Sequence, residues 1–231
     1  MKLRLLATVL LTASVLVAVS LPAGASTTPY VQMKTVVADA NAEQSVRATT
    51  TATMSGMKIV QVTDAGRKAG RQTVTLTQAG KRNSMLTELI KGNLYVKGDA
   101  TILTTYLALS QQDANEFAGQ WFGIPKNSVY YAEVALGLTI STGMAEVTMT
   151  SSVTGEPTTT VAGVKVYVLK GSSVKSSLEP SFKETLYFST AKKPLPVEVT
   201  QNVQGFLGTI LFSHWNEKID VSAPKVTLYL N

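Results

Sequence analysis

The sequence contains no cysteine, which excludes disulfides and thiolate metal ligands. It also removes the acylation point of a bacterial lipoprotein, which needs a Cys directly after its leader; Ala25-Ser26 stand there instead. A single histidine, His214, is too little for a zinc centre, where several imidazoles or carboxylates converge. Ser213 precedes it, but successive strand residues point to opposite faces, so adjacency gives no nucleophile–base pair. No Gly-x-Ser-x-Gly turn occurs to present a serine. The sparse carboxylates form neither a D-x-D-x-D-G calcium loop nor a glutamate pair at helical spacing. Glycine-rich phosphate loops of either common spacing are missing. Lys and Arg never run beyond two, as in Arg67-Lys68, Lys81-Arg82 and Lys192-Lys193, which leaves no nucleic-acid footprint. These absences argue against an enzyme, a metal or organic cofactor, and a nucleic-acid partner.

What the chain does have begins with a leader pattern. Lys2 and Arg4 precede an apolar stretch over 5–19, and Ala23-Gly24-Ala25 forms a small-x-small cleavage site. The apolar stretch is short of the roughly 20 residues a membrane span needs. Residues 1–25 are therefore expected to be a signal peptide. The mature chain, from Ser26, is expected to be secreted or released into a periplasm-like envelope space, soluble and not lipid-anchored. Losing two leader cations lowers the formal charge from +6 to 6 − 2 = +4, a mild basic excess. The remaining 231 − 25 = 206 residues suffice for one core, and 26–231 reads as a single domain.

Residues 30–43 place Tyr30, Met33, Val37 and Ala40 on one helix face. Residues 45–54 have a threonine-rich β composition, and 57–62 form a second short run. The stretch 64–71, with Gly66, Gly70 and several charges, reads as an exposed turn. From 71 to 78, Val74 and Leu76 alternate with Thr73, Thr75 and Thr77, the pattern of a half-buried strand. Residues 81–90 and 94–97, joined by Gly92-Asn93, continue an antiparallel series. At Asp99 the pattern changes. Asp99 caps a helix with Ile102, Leu103, Tyr106 and Leu107 along one side. Ser110-x-x-Asp113 opens a second helical region bearing Phe117. Residues 121–125, Trp-Phe-Gly-Ile-Pro, read as a loop, and 130–140 as a buried helix weakened by Gly137.

Sheet is expected again over 144–153, with a turn at Gly155-Glu156-Pro157. It returns over 161–169, where Val164, Val166 and Val168 alternate with Lys165 and Tyr167. A Ser-rich loop covers 171–180. Three runs, 186–188, 197–199 and 206–212, then form a meander, separated by Pro194-Leu195-Pro196 and by 201–205. The helical insertion of about forty residues between strands is the natural lid for a sheet that must bury one face.

Short motifs in a fixed order carry a family resemblance. They are Leu94-Tyr95-Val96-Lys97-Gly98-Asp99, Ala118-Gly119-Gln120-Trp121 with Ile124-Pro125, Gly163-Val164-Lys165-Val166-Tyr167, Leu186-Tyr187 with Pro194-Leu195-Pro196-Val197, and Trp215-Asn216. Together they resemble the actinobacterial LppX/LprG-type lipid carriers, relatives of the LolA and RseB half-barrels, over essentially the whole mature chain. The resemblance implies an α+β fold: a strongly curved antiparallel half-barrel sheet with helices covering the concave face around a hydrophobic cavity. It implies a carrier that binds lipid or acylated molecules and moves them through the cell envelope. The acylated Cys of the family is missing, which points to a free carrier. Two alternatives come from other classes: an envelope sensor or interaction module binding a protein or lipoprotein partner, and a hydrolase working through His214.

Phase and position nominate the cavity lining. Val74, Leu76, Leu86, Leu89 and Val96 come from the early strands. Ile102, Leu103, Tyr106 and Leu107 come from the first lid helix, and Phe117, Trp121, Leu136 and Ile140 from the rest of the insertion. Val166, Val168, Phe188, Val199 and Ile210 come from the late strands. A plain filled core is the competing expectation for each. Burying methylenes at about 0.8 kcal/mol apiece would hold an acyl chain without polar contacts, and Met85, Met144 and Met149 would suit an adaptable wall. The expected associations are a lipid or acylated ligand and a transient membrane contact, with the chain itself a monomer.

Overall fold

The computed structural model describes residues 28–54, 56–173, 182–203 and 206–230. The expected signal peptide and residues 174–180 of the Ser-rich loop lie outside them. Helix α1 (Pro29–Asn41) starts where the Thr28 hydroxyl accepts from the Val31 N–H and proline occupies the first turn, both favourable at an N-terminus. It buries Met33, Val36 and Ala40. Tyr30 is instead exposed, with the Lys34 ammonium 4.6 Å over its ring, so the buried face lies one step round from the expected one.

Five strands follow up and down: β1 (Ser45–Met54), β2 (Met57–Gly66), β3 (Gly70–Gln78), β4 (Lys81–Ile90) and β5 (Asn93–Gly98). The exposed turn expected over 64–71 is shorter than that. β2 runs through Gly66, whose N–H donates to the Ala69 carbonyl at 2.8 Å, and Asp64 pairs with Arg71 across the ladder. Charges there do not mark a loop, because one sheet face is open to solvent and Asp64 meets Arg47 on it at 2.6 Å.

The insertion holds α2 (Ala100–Tyr106), α3 (Gln111–Phe117), β6 (Phe122–Ile124), α4 (Tyr131–Ala135) and α5 (Ile140–Glu146). Asp99 and Ser110 cap α2 and α3 through their side chains, onto the Ile102 and Asp113 N–H groups at 3.0 Å each. Three expectations are corrected here. The Trp-Phe-Gly-Ile-Pro stretch is not all loop: Phe122, Gly123 and Ile124 pair with Val96, Tyr95 and Leu94. The helix over 130–140 is two short ones, broken where Gly137 takes φ +76°. Met144 lies in α5, not in a strand, because the Thr139–Thr142 capping box restarts a helix.

The remaining strands are β7 (Ser151–Val161), β8 (Val164–Ser173), β9 (Phe182–Ser189), β10 (Pro196–Val203), β11 (Phe206–Ser213) and β12 (Leu228–Tyr229). Gly155-Glu156-Pro157 is no turn. It sits inside β7, an edge strand with register shifts, where a proline lacking its N–H is tolerated and discourages further pairing. The actual reversal is Ala162-Gly163, both at positive φ. The strands form one sheet of order β12-β6-β5-β4-β3-β2-β1-β11-β10-β9-β8-β7, an open α+β half-barrel with the antiparallel β1–β11 pair joining its two halves.

Helices cover one sheet face, and the core divides in two. One cluster packs Val74, Leu76, Met85, Val96 and Phe122 against Ile102, Leu103 and Phe117. The other packs α1 and α5, through Met33, Val36, Ile140 and Met144, against Leu169, Leu186, Val199 and Phe212. After β11 the chain crosses back: the Asn216 N–H donates to the Ser45 carbonyl at 2.9 Å, and β12 pairs in parallel with β6.

That crossing is fastened by Glu43, a buried carboxylate that accepts from Asn216 Nδ2 and meets the Lys193 ammonium. The Lys193 hydrogen bond, then that of Asn216, holds its carboxyl below the ordinary 4.5 against the opposing pull of burial. A carboxyl depressed in the folded state contributes stability that is complete above pH 4.5 and lost as pH falls through the folded value. Glu43→Gln should therefore cost about 1–2 kcal/mol at pH 7, at the low end because Lys193 is half exposed and screened. The gap to wild type should close below pH 4.5; chemical denaturation across pH 3–7 reads it, and a gap constant over that range would show that the carboxylate is not held.

Candidate functional site

Between the two clusters the sheet and its lid do not meet. The inner face carries Thr50 on β1, Gln61 and Thr63 on β2 and Gln72 on β3, with Thr50 opposite Gln61 and Thr63 opposite Gln72 in register. Neutral polar side chains at these positions cannot be sealed under apolar helices without losing hydrogen bonds, and a cavity of about 300 Å³ stays open above them. Its floor extends to Ala48, Gln201, Ile210 and Phe212. Its roof is Tyr106 and Leu107 from the end of α2, Val134, Leu136 and Gly137 around α4, and Gly143 and Val147 around α5, with Glu133 and Glu146 among the lining residues. A volume of about 300 Å³ sits at the lower end of small-molecule pockets, roughly 300–1,000 Å³.

The polar floor is wired. Thr63 Oγ1 accepts from Gln72 Nε2 at 3.2 Å and from Gln61 Nε2 at 3.5 Å, and Gln61 Oε1 accepts from the Tyr106 hydroxyl at 3.3 Å. Burial, with a smaller push from the Glu133 carboxylate, raises the Tyr106 phenol to about 12, so it stays a donor across the physiological range. Gln201 Nε2 donates to Glu184 Oε1 at 2.6 Å, beneath the cavity wall.

The nominated lining residues divide. Tyr106, Leu107, Leu136 and Ile210 line the cavity. Val74, Leu76 and Ile102 surround a gap of only about 20 Å³, room for about one water. Leu89, Val96, Leu103 and Phe117 are packed in the first cluster, and Ile140, Phe188 and Val199 in the second. Trp121 is half-buried and belongs to neither cluster. Leu86 faces the other way: it pairs with Thr73 and Lys97, while Val74 and Met85 point under the helices. Val166 and Val168 also sit outside both clusters; Val168 pairs with Tyr187, on the face opposite the neighbouring Leu169–Leu186 pair. Apolar residues occur on both faces here, so alternation gave no unique phase.

The cavity-lining polar residues not nominated from the sequence are Thr50, Gln61, Thr63, Gln72 and Gln201. The one available signal was at Gln72, which shares the phase of Val74 and Leu76 along β3. The side chains of Ser213 and His214 do meet, Ser213 Oγ to His214 Nδ1 at 2.8 Å, because His214 leaves the strand at φ 52° and the alternation rule lapses. The pair lies where the end of β11 meets the exposed residue His214, and among the described residues no carboxylate is hydrogen-bonded to Nε2 of His214.

Among the described residues no helix is long and apolar enough to cross a membrane, and no group of three or more His, Asp or Glu could hold a metal ion. No family model and no curated protein matches the chain. Solved structures do. LprF from Mycobacterium bovis superposes with a TM-score of 0.56 at 11% identity, over 85% of this chain and 96% of that one. The Mycobacterium tuberculosis lipoprotein LppX superposes with a TM-score of 0.52 at 11% identity, over 84% of this chain and 98% of that one. The chain has the LppX-like half-barrel fold.

Proposed function

We propose that this chain binds a lipid or acylated molecule between its sheet and its helical lid and carries it through the cell envelope. The observation that carries the reading is the cavity of about 300 Å³ left between two otherwise closed apolar clusters. Ordinary cores close such spaces, since interiors pack like organic crystals. The leader pattern of residues 1–25 supports an envelope location, and the absence of cysteine a carrier free of a lipid anchor. The shared fold with LprF and LppX and the motif resemblance to lipid carriers support binding over catalysis.

The volume also limits the cargo. About 300 Å³ is the lower end of small-molecule pockets, so the space as it stands takes a short chain or one end of a longer one, and a long acyl chain requires the lid to lift. Native mass spectrometry of the protein purified from its own host without detergent tests the reading. An added small-molecule mass that organic extraction removes is the expected result. A bare mass, combined with no uptake from envelope-lipid vesicles, would overturn it; a protein adduct instead would favour the interaction module.

A further inference from the structure

Building on the carrier reading, we propose that the cavity selects an uncharged amphiphile, whose hydroxyl- or amide-bearing head lies on the floor formed by Gln61, Thr63 and Gln72. A space meant only for hydrocarbon needs no polar floor, and this floor has unfilled capacity. Gln72 is 4% exposed; one of its two amide N–H groups is spent on Thr63, while its Oε1 accepts no hydrogen bond from any described residue. Directly across the ladder, outside the cavity lining, stands Thr87, fully buried, with an Oγ1 that lacks a partner among the described residues. Of the two, Thr87 Oγ1 is the buried unmatched atom, while the Gln72 carbonyl, on the cavity lining, is an acceptor open to a ligand. A ligand hydroxyl over Gln72 would donate to that carbonyl and accept from the amide N–H groups of the same network.

Charge narrows the class. Among the described residues lining the cavity, the charged ones are Glu133 and Glu146, and no Lys, Arg or His is among them. A carboxylate or phosphate head would be desolvated there beside like charge, with no lining cation to receive it. Tyr106, held protonated, adds a donor to the same network. The rest of the ligand has apolar wall to lie on: Ala48, Ile210 and Phe212 below, Leu107, Val134 and Val147 above.

The test is isothermal titration of the delipidated protein at pH 7 with three probes sharing one chain: 1-monodecanoylglycerol, decanoate and methyl decanoate. Monodecanoylglycerol should bind at least about tenfold more tightly than either of the others, since a site built for hydrogen bonds rejects analogues that cannot make them. Gln72→Leu should lower its affinity about tenfold and leave methyl decanoate unchanged. Thr63→Val, close to the same shape, should act in the same direction and guards against a folding artefact in the first variant. Decanoate binding as tightly as the glyceride, or a selectivity untouched by both substitutions, would overturn the head-group assignment while leaving the carrier reading intact. No binding by any of the three would overturn both.

Discussion

Gly70→Ala should be among the most damaging single-methyl changes this protein can suffer. A Cβ on Gly70 would lie 2.0 Å from the Leu138 carbonyl oxygen and 2.9 Å from its carbon, and both are backbone atoms that no rotamer change can move aside. The connection between α4 and α5 rests on the sheet at this point: Leu138 is fully buried, and Thr139 bridges to Gly66 beside it. The methyl must lift that connection and with it the roof of the cavity. Overpacking of this kind costs about 3 kcal/mol or more, a melting temperature lower by roughly 6–12 °C for a domain of this size. Hydrogen exchange at residues 137–142 should accelerate in step. Gly143→Ala is the control. Its Cβ would meet nothing nearer than 3.8 Å, and alanine is the better helix residue by about 0.8–1 kcal/mol, so that variant should hold or gain stability. An unchanged melting temperature in Gly70→Ala would show that the lid does not rest on β3.

Phe122→Ala should cost about 3–5 kcal/mol, the range for emptying a large buried aromatic site. The ring is fully buried, 4.5 Å from the centroid of Phe117, and its strand joins β5 on one side to β12 on the other. The loss should therefore appear twice, as a lower global midpoint and as release of the C-terminal residues 228–230 to early proteolysis. Phe122→Leu, which keeps most of the volume, should cost far less. If alanine released the terminus but left the midpoint unmoved, Phe122 would be fastening an edge and not filling the core.

Much of the frame was legible along the chain. The strand over 71–78 follows from period-two patterning, that over 45–54 from β composition, and that over 81–90 and the meander from β9 to β11 from apolar runs punctuated by Gly and Pro, all local properties. Asp99 and Ser110 announced their helices because a cap is a contact between residues three apart. Phe122–Ile124 gave no such signal: a three-residue strand is made by its partners, β5 and β12, far away in sequence. Leu86, Val166 and Val168 were given the wrong phase because both sheet faces carry apolar residues, so alternation constrains only relative orientation.

By itself the sequence determined most of the long strands, the caps of α2 and α3 and the exclusion of any thiolate chemistry, because patterning, caps and the lack of cysteine are properties of neighbours or of composition; the class of the fold came from the family resemblance of its ordered motifs. Where the cavity lies, and that its floor is polar, only the tertiary structure decided. Nothing along the chain marks Gln61, Thr63 and Gln72 as a floor until α2, α4 and α5 close over them, and an empty volume is a mismatch between two surfaces that no stretch of either one encodes alone.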